Sequence, residues 1–170
     1  MDDERPALPY TICFCVHRER VLMLLRARPP FVDRWNGLGG KRVGSETPQR
    51  CVRREVREEA GIDLAHADRL RAVGTVTWPA GASRTGMYAY VAEFVDADVT
   101  WPGRRAVPEG QLEWLPSAWV CDHGNRAVVS NIPWFLPRML TDEPPVEYHC
   151  DDPADNLERM LLRPLPTTSS

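Results

Sequence analysis

One stretch, GKRVGSETPQRCVRREVREEAGI at residues 40–62, constrains this chain more than any other. It reads as a glycine loop, a capped start and an amphipathic helix. Thr47 is placed to N-cap the helix, and Pro48 then occupies the first helical position, where a missing backbone N–H costs nothing. Gly61 follows the last helical residues and suits the left-handed position that ends a helix. Val52, Val56 and Ala60 recur at steps of four and give the helix one apolar face. Glu55, Glu58 and Glu59 lie beside that face, and their spacing brings Glu55 close to both of the others.

Like charges at that spacing destabilise a bare helix by about 0.2–0.5 kcal/mol per pair. Arg50, Arg53, Arg54 and Arg57 on the same helix can offset this. A divalent cation can offset it better, because Mg²⁺ takes hard oxygen ligands and is commonly held by a few carboxylates together with substrate phosphates. Acids at helical spacing are more often a solvated face than a metal site, so the helix alone leaves both readings open.

The whole string narrows the choice. Gly40, five residues, Glu46, seven residues, Arg54-Glu55-Val56, one residue, Glu58-Glu59, one residue, Gly61-Ile62 resembles the complete signature of the Nudix (MutT-like) diphosphohydrolases, with every fixed position filled. The flank Trp35-Asn36-Gly37-Leu38-Gly39-Gly40-Lys41 is similar to that of the subgroup acting on oxidised purine nucleoside triphosphates. One position departs: the glycine usual just before Glu46 is displaced to Gly44, with Ser45 in its place.

The resemblance implies an α/β fold, the Nudix α/β/α sandwich around a mixed β-sheet. It implies Mg²⁺-dependent hydrolysis of a nucleoside triphosphate to the monophosphate and pyrophosphate, with Mn²⁺ able to substitute and with 8-oxo-dGTP or another oxidised purine nucleotide preferred. The implied metal ligands are Glu55, Glu58, Glu59 and the Gly39 carbonyl, joined by Glu109, which stands five residues before Trp114. Glu113 is the alternative, but as a mid-strand residue it should face away from the pocket. Glu58 or Glu59 orients or deprotonates the attacking water. Glu46 braces the glycine loop through an ion pair to Arg54, and Lys41 is the other nearby cation. Asn36 reads the base edge, Trp35 supports the loop, Phe31 lies at the pocket rim, and Asn131 lies where the base pocket closes. An animal relative carries paired acids where this chain has Ser130 and Asn131. Two alternatives stand: the same chemistry on a dinucleoside polyphosphate, nucleotide sugar or capped 5′ end, and a nucleotide-binding module without catalysis.

The remaining chain reads as follows. Residues 10–17 and 21–26 form a hairpin of strands, and 28–33 cannot be a regular strand with Pro29-Pro30 inside it. Residues 70–78 form a strand with an irregularity at Gly74, 79–83 a turn, 85–94 a strand and 96–105 a polar loop. A short strand follows Glu109, and residues 117–121 start a short helix. Residues 131–140 form a second helix, with Asn131 as its cap, Pro133 in its first turn and Pro137 kinking it. Residues 148–150 and 157–162 form a closing hairpin.

A length of 170 residues suits one core, so a single domain is expected over 1–170, with flexible ends at 1–8 and 163–170. Net charge is −3 and no basic stripe is interleaved with aromatics, which argues against a nucleic-acid polymer or an anionic membrane as partner. No apolar run is long enough to span a bilayer and no signal peptide is visible. Five cysteines, an odd number without a C-x-x-C pair, point to a reducing compartment, and the expected location is cytoplasmic. Cys13 and Cys15 alternate on a strand and point together into the core. The expected partner is the nucleotide. Trp101, Trp119 and Trp134 are either core or the contact of a homodimer.

Overall fold

The computed structural model describes residues 7–95, 103–151 and 157–166. Strand β1 (Tyr10–His17) turns back into β2 (Arg20–Arg26), with Val16 opposite Val21 and His17 opposite Arg20. A two-residue strand β3 (Trp35–Asn36) pairs with β2 and leads through the glycine loop to helix α1 (Pro48–Ala60). Then come β4 (Arg69–Ala80), β5 (Ser83–Glu93), β6 (Arg104–Val107) and β7 (Gly110–Pro116), a short helix α2 (Ser117–Val120) and helix α3 (Ile132–Met139). The hairpin of β8 (Val146–Cys150) and β9 (Met160–Arg163) closes the described chain.

The strands join in one sheet in the order β6-β7-β2-β1-β5-β4-β8-β9, with β3 against β2. β1 runs parallel to β5 and β4 parallel to β8, while the other pairings are antiparallel, so the sheet is mixed. The period-two alternation of β1 divides two cores. Cys13 and Cys15 face Val52, Val56 and Ala60 of α1, with Leu22, Leu24 and Leu112 beside them. Ile12 and Phe14 face Ile132, Phe135, Leu136 and Met139 of α3 across the other side. Full burial of each such Leu, Ile, Val or Phe side chain contributes about 1.5–3 kcal/mol, so both helices are held by their apolar stripes. The result is the α/β/α sandwich around a mixed sheet that the resemblance implies.

Several local expectations shift. The β4–β5 turn is narrower than residues 79–83: Pro79 and Ala80 still pair with Arg84 and Ser83, leaving only Gly81 and Ala82 between the strands. The irregularity in β4 lies where expected, as a register shift between Ala72 and Gly74. Residues 104 and 105 are not loop but the start of β6, Gly103 precedes it as a bend with φ +71°, and residues 96–102 lie outside the described residues. β6 is an exposed edge held by β7 and by Arg104 on Glu113, so its sequence carries no burial pattern to read. Arg163 belongs to β9 rather than to a loose tail. At the other end, Leu8 donates its N–H to the Tyr88 hydroxyl and its carbonyl accepts from Arg42. Asn131 stands at the N-cap of α3 but its side chain makes no capping bond. Trp35 is core, whereas Trp119 and Trp134 are 40% and 38% exposed, and Trp101 lies outside the described residues. All five cysteines are free thiols. Among the described residues, no helix is long and apolar enough to cross a membrane.

Candidate active site

Helix α1 forms as its sequence dictates. The Thr47 hydroxyl accepts from the Arg50 N–H, Pro48 opens the helix, and Gly61 ends it in the left-handed conformation, donating to the Arg57 carbonyl. The displaced glycine still serves the loop: Gly44 has φ +53°, and the turn closes with the Glu46 N–H on the Val43 carbonyl at 3.0 Å. Glu46 in return accepts from the Val43 N–H.

Arg54 ties the loop to the acids. Its Nε meets Glu46 Oε1 at 2.8 Å, and its Nη1 meets Glu55 Oε1 at 2.7 Å and Glu58 Oε2 at 3.2 Å. Its Nη2 also donates to the Lys41 carbonyl. The Arg54 guanidinium holds the Glu46 carboxyl down at about 2, and the guanidinium's own pKa is raised in turn, first by Glu46 and then by Glu55. Gly40 lies so close to α1 that a Cβ there would stand 2.6 Å from the Glu55 carboxyl carbon and 2.7 Å from both of its oxygens. The loop is therefore cut to the depth of the Glu55 side chain.

Glu59 lies deepest, 5% exposed, with Oε1 accepting from the Gly39 N–H at 2.9 Å. Burial pushes its carboxyl up to about 8, and the charges of Glu55 and Glu109 add to the rise. The Gly39 N–H and the charge of Arg26 pull the other way. The carbonyls of Leu38 and Gly40 accept from Cys13 and Thr11 of β1, which leaves the Gly39 carbonyl between them without a partner among the described residues.

Glu109 comes from the turn before β7, about fifty residues further on. Its carbonyl accepts from the Ala27 N–H at the end of β2, which fixes it beside the glycine loop. Its Oε2 is buried and has no hydrogen-bond partner among the described residues. A buried carboxylate oxygen in that state is costly unless something pairs with it, and a cation is the natural counterpart. Glu113, the alternative, pairs with Arg104 at 2.8 Å and does not line the cavity.

These side chains meet in a cavity of about 740 Å³. Glu55, Glu58, Glu59, Glu109 and Gly39 line one end, with Lys41, Asn36 and Phe31 along it. The Asn36 side-chain oxygen accepts from the Gly37 N–H at 2.9 Å. Arg54 supports the acids from behind and is not part of the lining, and neither is Asn131. Among the described residues, no three His, Cys, Asp or Glu side chains already converge as a metal cage. The donor set is nevertheless all hard oxygen: four carboxylates and an unpartnered carbonyl, with one carboxylate oxygen orphaned, which fits Mg²⁺ or Mn²⁺.

Arg26, Trp78 and Met87 are among the lining residues that sequence reasoning missed. Arg26, at the end of β2, is anchored by the Pro30 carbonyl at 2.6 Å and the Pro29 carbonyl at 3.2 Å. Trp78 on β4 and Met87 on β5 join Ile12 and Phe31 as apolar walls. The strand pairing brings them together: Val76 stands opposite Met87 and Trp78 opposite Thr85. Alternation along each strand was a usable signal for which face they take, but not for what they face across the cavity.

A family model described as the NUDIX domain matches residues 7–135. The oxidized purine nucleoside triphosphate hydrolase of Mus musculus is 35% identical over 69 residues, 41% of this chain and 42% of that protein. The protein of the same name from Danio rerio is 35% identical over 66 residues, 39% of this chain and 40% of that protein. The chain thus spans about two fifths of the length of these curated relatives. Among solved structures, a MutT protein from Bacillus halodurans superposes with a TM-score of 0.68 at 23% identity, covering 92% of this chain and 98% of the other, a likeness of fold.

Proposed function

The chain belongs to the NUDIX family, and from that premise we propose that it is a Mg²⁺-dependent nucleoside triphosphate diphosphatase, releasing a nucleoside monophosphate and pyrophosphate. The observation that carries this reading is that Glu55, Glu58, Glu59 and Glu109 line one cavity together with the apolar side chains of Ile12, Phe31, Trp78 and Met87. A triphosphate brings dense negative charge into a site that is already acidic, and a cation makes that tolerable. Glu55, Glu58, Glu59, Glu109 and the Gly39 carbonyl would hold Mg²⁺, which when bound supplies Lewis-acid polarisation of the phosphate oxygens and neutralises the leaving pyrophosphate.

The chain's own groups do the rest. Arg54 fixes Glu55 and Glu58 in orientation, and Glu46 fixes Arg54, in the manner of supports that orient ligands. Glu58 is the more exposed of the two base candidates and faces the cavity, so it takes the proton of the attacking water, while Glu59 stays pinned by Gly39. Water oxygen bonds to phosphorus, the bridging P–O bond breaks, and the pyrophosphate oxygen leaves with the bond's electron pair. Lys41 and Arg26 supply positive charge along the phosphate path. Asn36 presents an amide able to donate and accept at a base edge, and Phe31, Ile12, Trp78 and Met87 provide the apolar slot.

One cavity with one apolar region supports a substrate with a single base over a dinucleoside polyphosphate. The names of the mouse and zebrafish relatives support an oxidised purine, and 8-oxo-dGTP is the specific substrate proposed. The test is kcat/KM with Mg²⁺ for 8-oxo-dGTP, dGTP, the other triphosphates, a dinucleoside tetraphosphate and a nucleotide sugar, with products identified. The expected result is monophosphate plus pyrophosphate and a preference of about a hundredfold or more for 8-oxo-dGTP over dGTP, roughly 2.7 kcal/mol. A flat profile over triphosphates would remove the base assignment, and orthophosphate release would remove the reaction.

A further inference from the structure

The loop between β2 and β3 brings Phe31 to the cavity, and one side chain holds the tip of that loop. The tip contains Pro29 and Pro30, which have no N–H to donate, so it is fastened there through carbonyls. The Arg26 guanidinium takes both: Nε donates to the Pro30 carbonyl at 2.6 Å and Nη2 to the Pro29 carbonyl at 3.2 Å. We propose that Arg26 is a positioning residue for substrate selection. It fixes Phe31 as a wall of the base slot, so the base is recognised through Arg26 without touching it. This rests on the nucleoside triphosphate reading above.

The backbone at Phe31 has φ +64°, a left-handed conformation that a bulky side chain rarely adopts. Such a conformation persists only where the surroundings over-determine it. Phe31 is nevertheless half-buried, packs against the core on the α3 side of the sheet and lines the cavity with Ile12, Trp78 and Met87. Arg26 supplies the surroundings at both ends of the loop. Its N–H donates to the Arg34 carbonyl at 3.1 Å and its carbonyl accepts from the Asp33 N–H at 2.8 Å, which closes the base of the loop. Its guanidinium holds the tip, and among the described residues no other side chain hydrogen-bonds residues 28–32. Nε–H and one Nη–H donate side by side in one plane, which suits two consecutive carbonyls; a lysine ammonium is a point charge and does not reproduce that fork.

The same guanidinium lines the cavity, and its charge is among the groups that pull the Glu59 carboxyl back against burial. The next residue, Ala27, donates its N–H to the Glu109 carbonyl at 2.9 Å. The end of β2 thus sets both an acid of the phosphate end and a wall of the base end. Because Nε and Nη2 are committed to the loop, the phosphates meet Arg26 as positive charge, whereas the base meets it through Phe31. A wall fixed before binding reduces the ordering cost of binding, and a wall set loose weakens the grip on the base while leaving the reacting atoms where they were.

The experiment compares the full chain with Arg26→Lys, Phe31→Ala and the double variant. It measures kcat and KM for 8-oxo-dGTP and dGTP with Mg²⁺, the inhibition constant of tripolyphosphate, which has no base, and amide exchange at Asp33 and Arg34. Arg26→Lys, which keeps the charge, is expected to raise KM for the better nucleotide about tenfold and to change kcat by no more than about twofold. The double variant is expected within about twofold of Phe31→Ala alone, because both changes act on one wall. Tripolyphosphate inhibition should move by less than about twofold, while the two amides exchange about tenfold faster in Arg26→Lys. The proposal is overturned if exchange is unchanged, if the two KM effects multiply in the double variant, or if tripolyphosphate weakens as much as the nucleotide does, which would place Arg26 on the phosphates alone. A parent chain that turns over neither nucleotide overturns the reaction instead, and calorimetric Kd then replaces KM in the same comparison, so the two failures are distinct.

Discussion

Replacing Glu59 by Gln should make the metal-free protein more stable, and increasingly so as pH rises. The carboxyl has a folded pKa of about 8 against 4.5 for the free side chain, chiefly because burial penalises its charge. Between those two values the folded state keeps a proton that the unfolded state releases. Stability therefore falls as pH rises, by about 1.36 kcal/mol per unit from this group alone, and the loss is complete only above the folded pKa. At pH 7 it amounts to about 3 kcal/mol, a large share of the about 5–15 kcal/mol that holds a domain folded. Glutamine keeps an oxygen for the Gly39 N–H, which Glu59 accepts at 2.9 Å, and removes the charge. Urea unfolding of Glu59→Gln and the parent in EDTA, from about pH 5 to pH 8, should give a stability difference that grows by roughly 1.4 kcal/mol per unit. Adding Mg²⁺ should stabilise the parent more than the variant, because a ligand that binds only the folded state adds to its stability. A difference that stays constant across that range would refute the buried-charge argument, whatever happens to activity.

Glu58→Gln should lower kcat by about 10²–10⁴ in a steady-state assay, the usual worth of a general base, with little change in urea midpoint because the side chain is 58% exposed. Gly40→Ala should place a methyl against the Glu55 carboxylate and lower kcat/KM by about a hundredfold, the cost of a small misplacement, with activity titrating at higher Mg²⁺. Glu46→Gln should flatten the acid side of the stability profile: its folded pKa of about 2 lies below the unfolded 4.5, so its contribution is present above 4.5 and lost as pH falls toward 2. An unchanged loss of urea midpoint on acidification in that variant would mean that the Arg54 pair carries no such linkage.

What could be read without the fold was local. Thr47, Pro48 and Gly61 cap and bound α1 through groups within four residues of one another, and the acid spacing follows from 3.6 residues per turn. The hairpin of β1 and β2 and the paired inward cysteines follow from alternation over eight residues. Gly39, Glu46 and Glu109 were legible only because the string resembles a known family, and Glu109 reaches the cavity through the pairing of β2 with β7, to which alternation is blind. Arg26, Trp78 and Met87 needed the sheet itself, since register and strand order decide which side chains from separate strands share a wall. Asn131 shows the limit from the other side. Its sequence suits a cap or a base reader, yet its side chain neither caps α3 nor lines the cavity. Backbone geometry within a turn or helix is set by neighbouring residues, so α1, its caps and the spacing of its acids were legible from the residues alone. Contact between distant segments is set by which apolar faces bury one another, and only that tertiary packing decided the shape of the cavity those acids face.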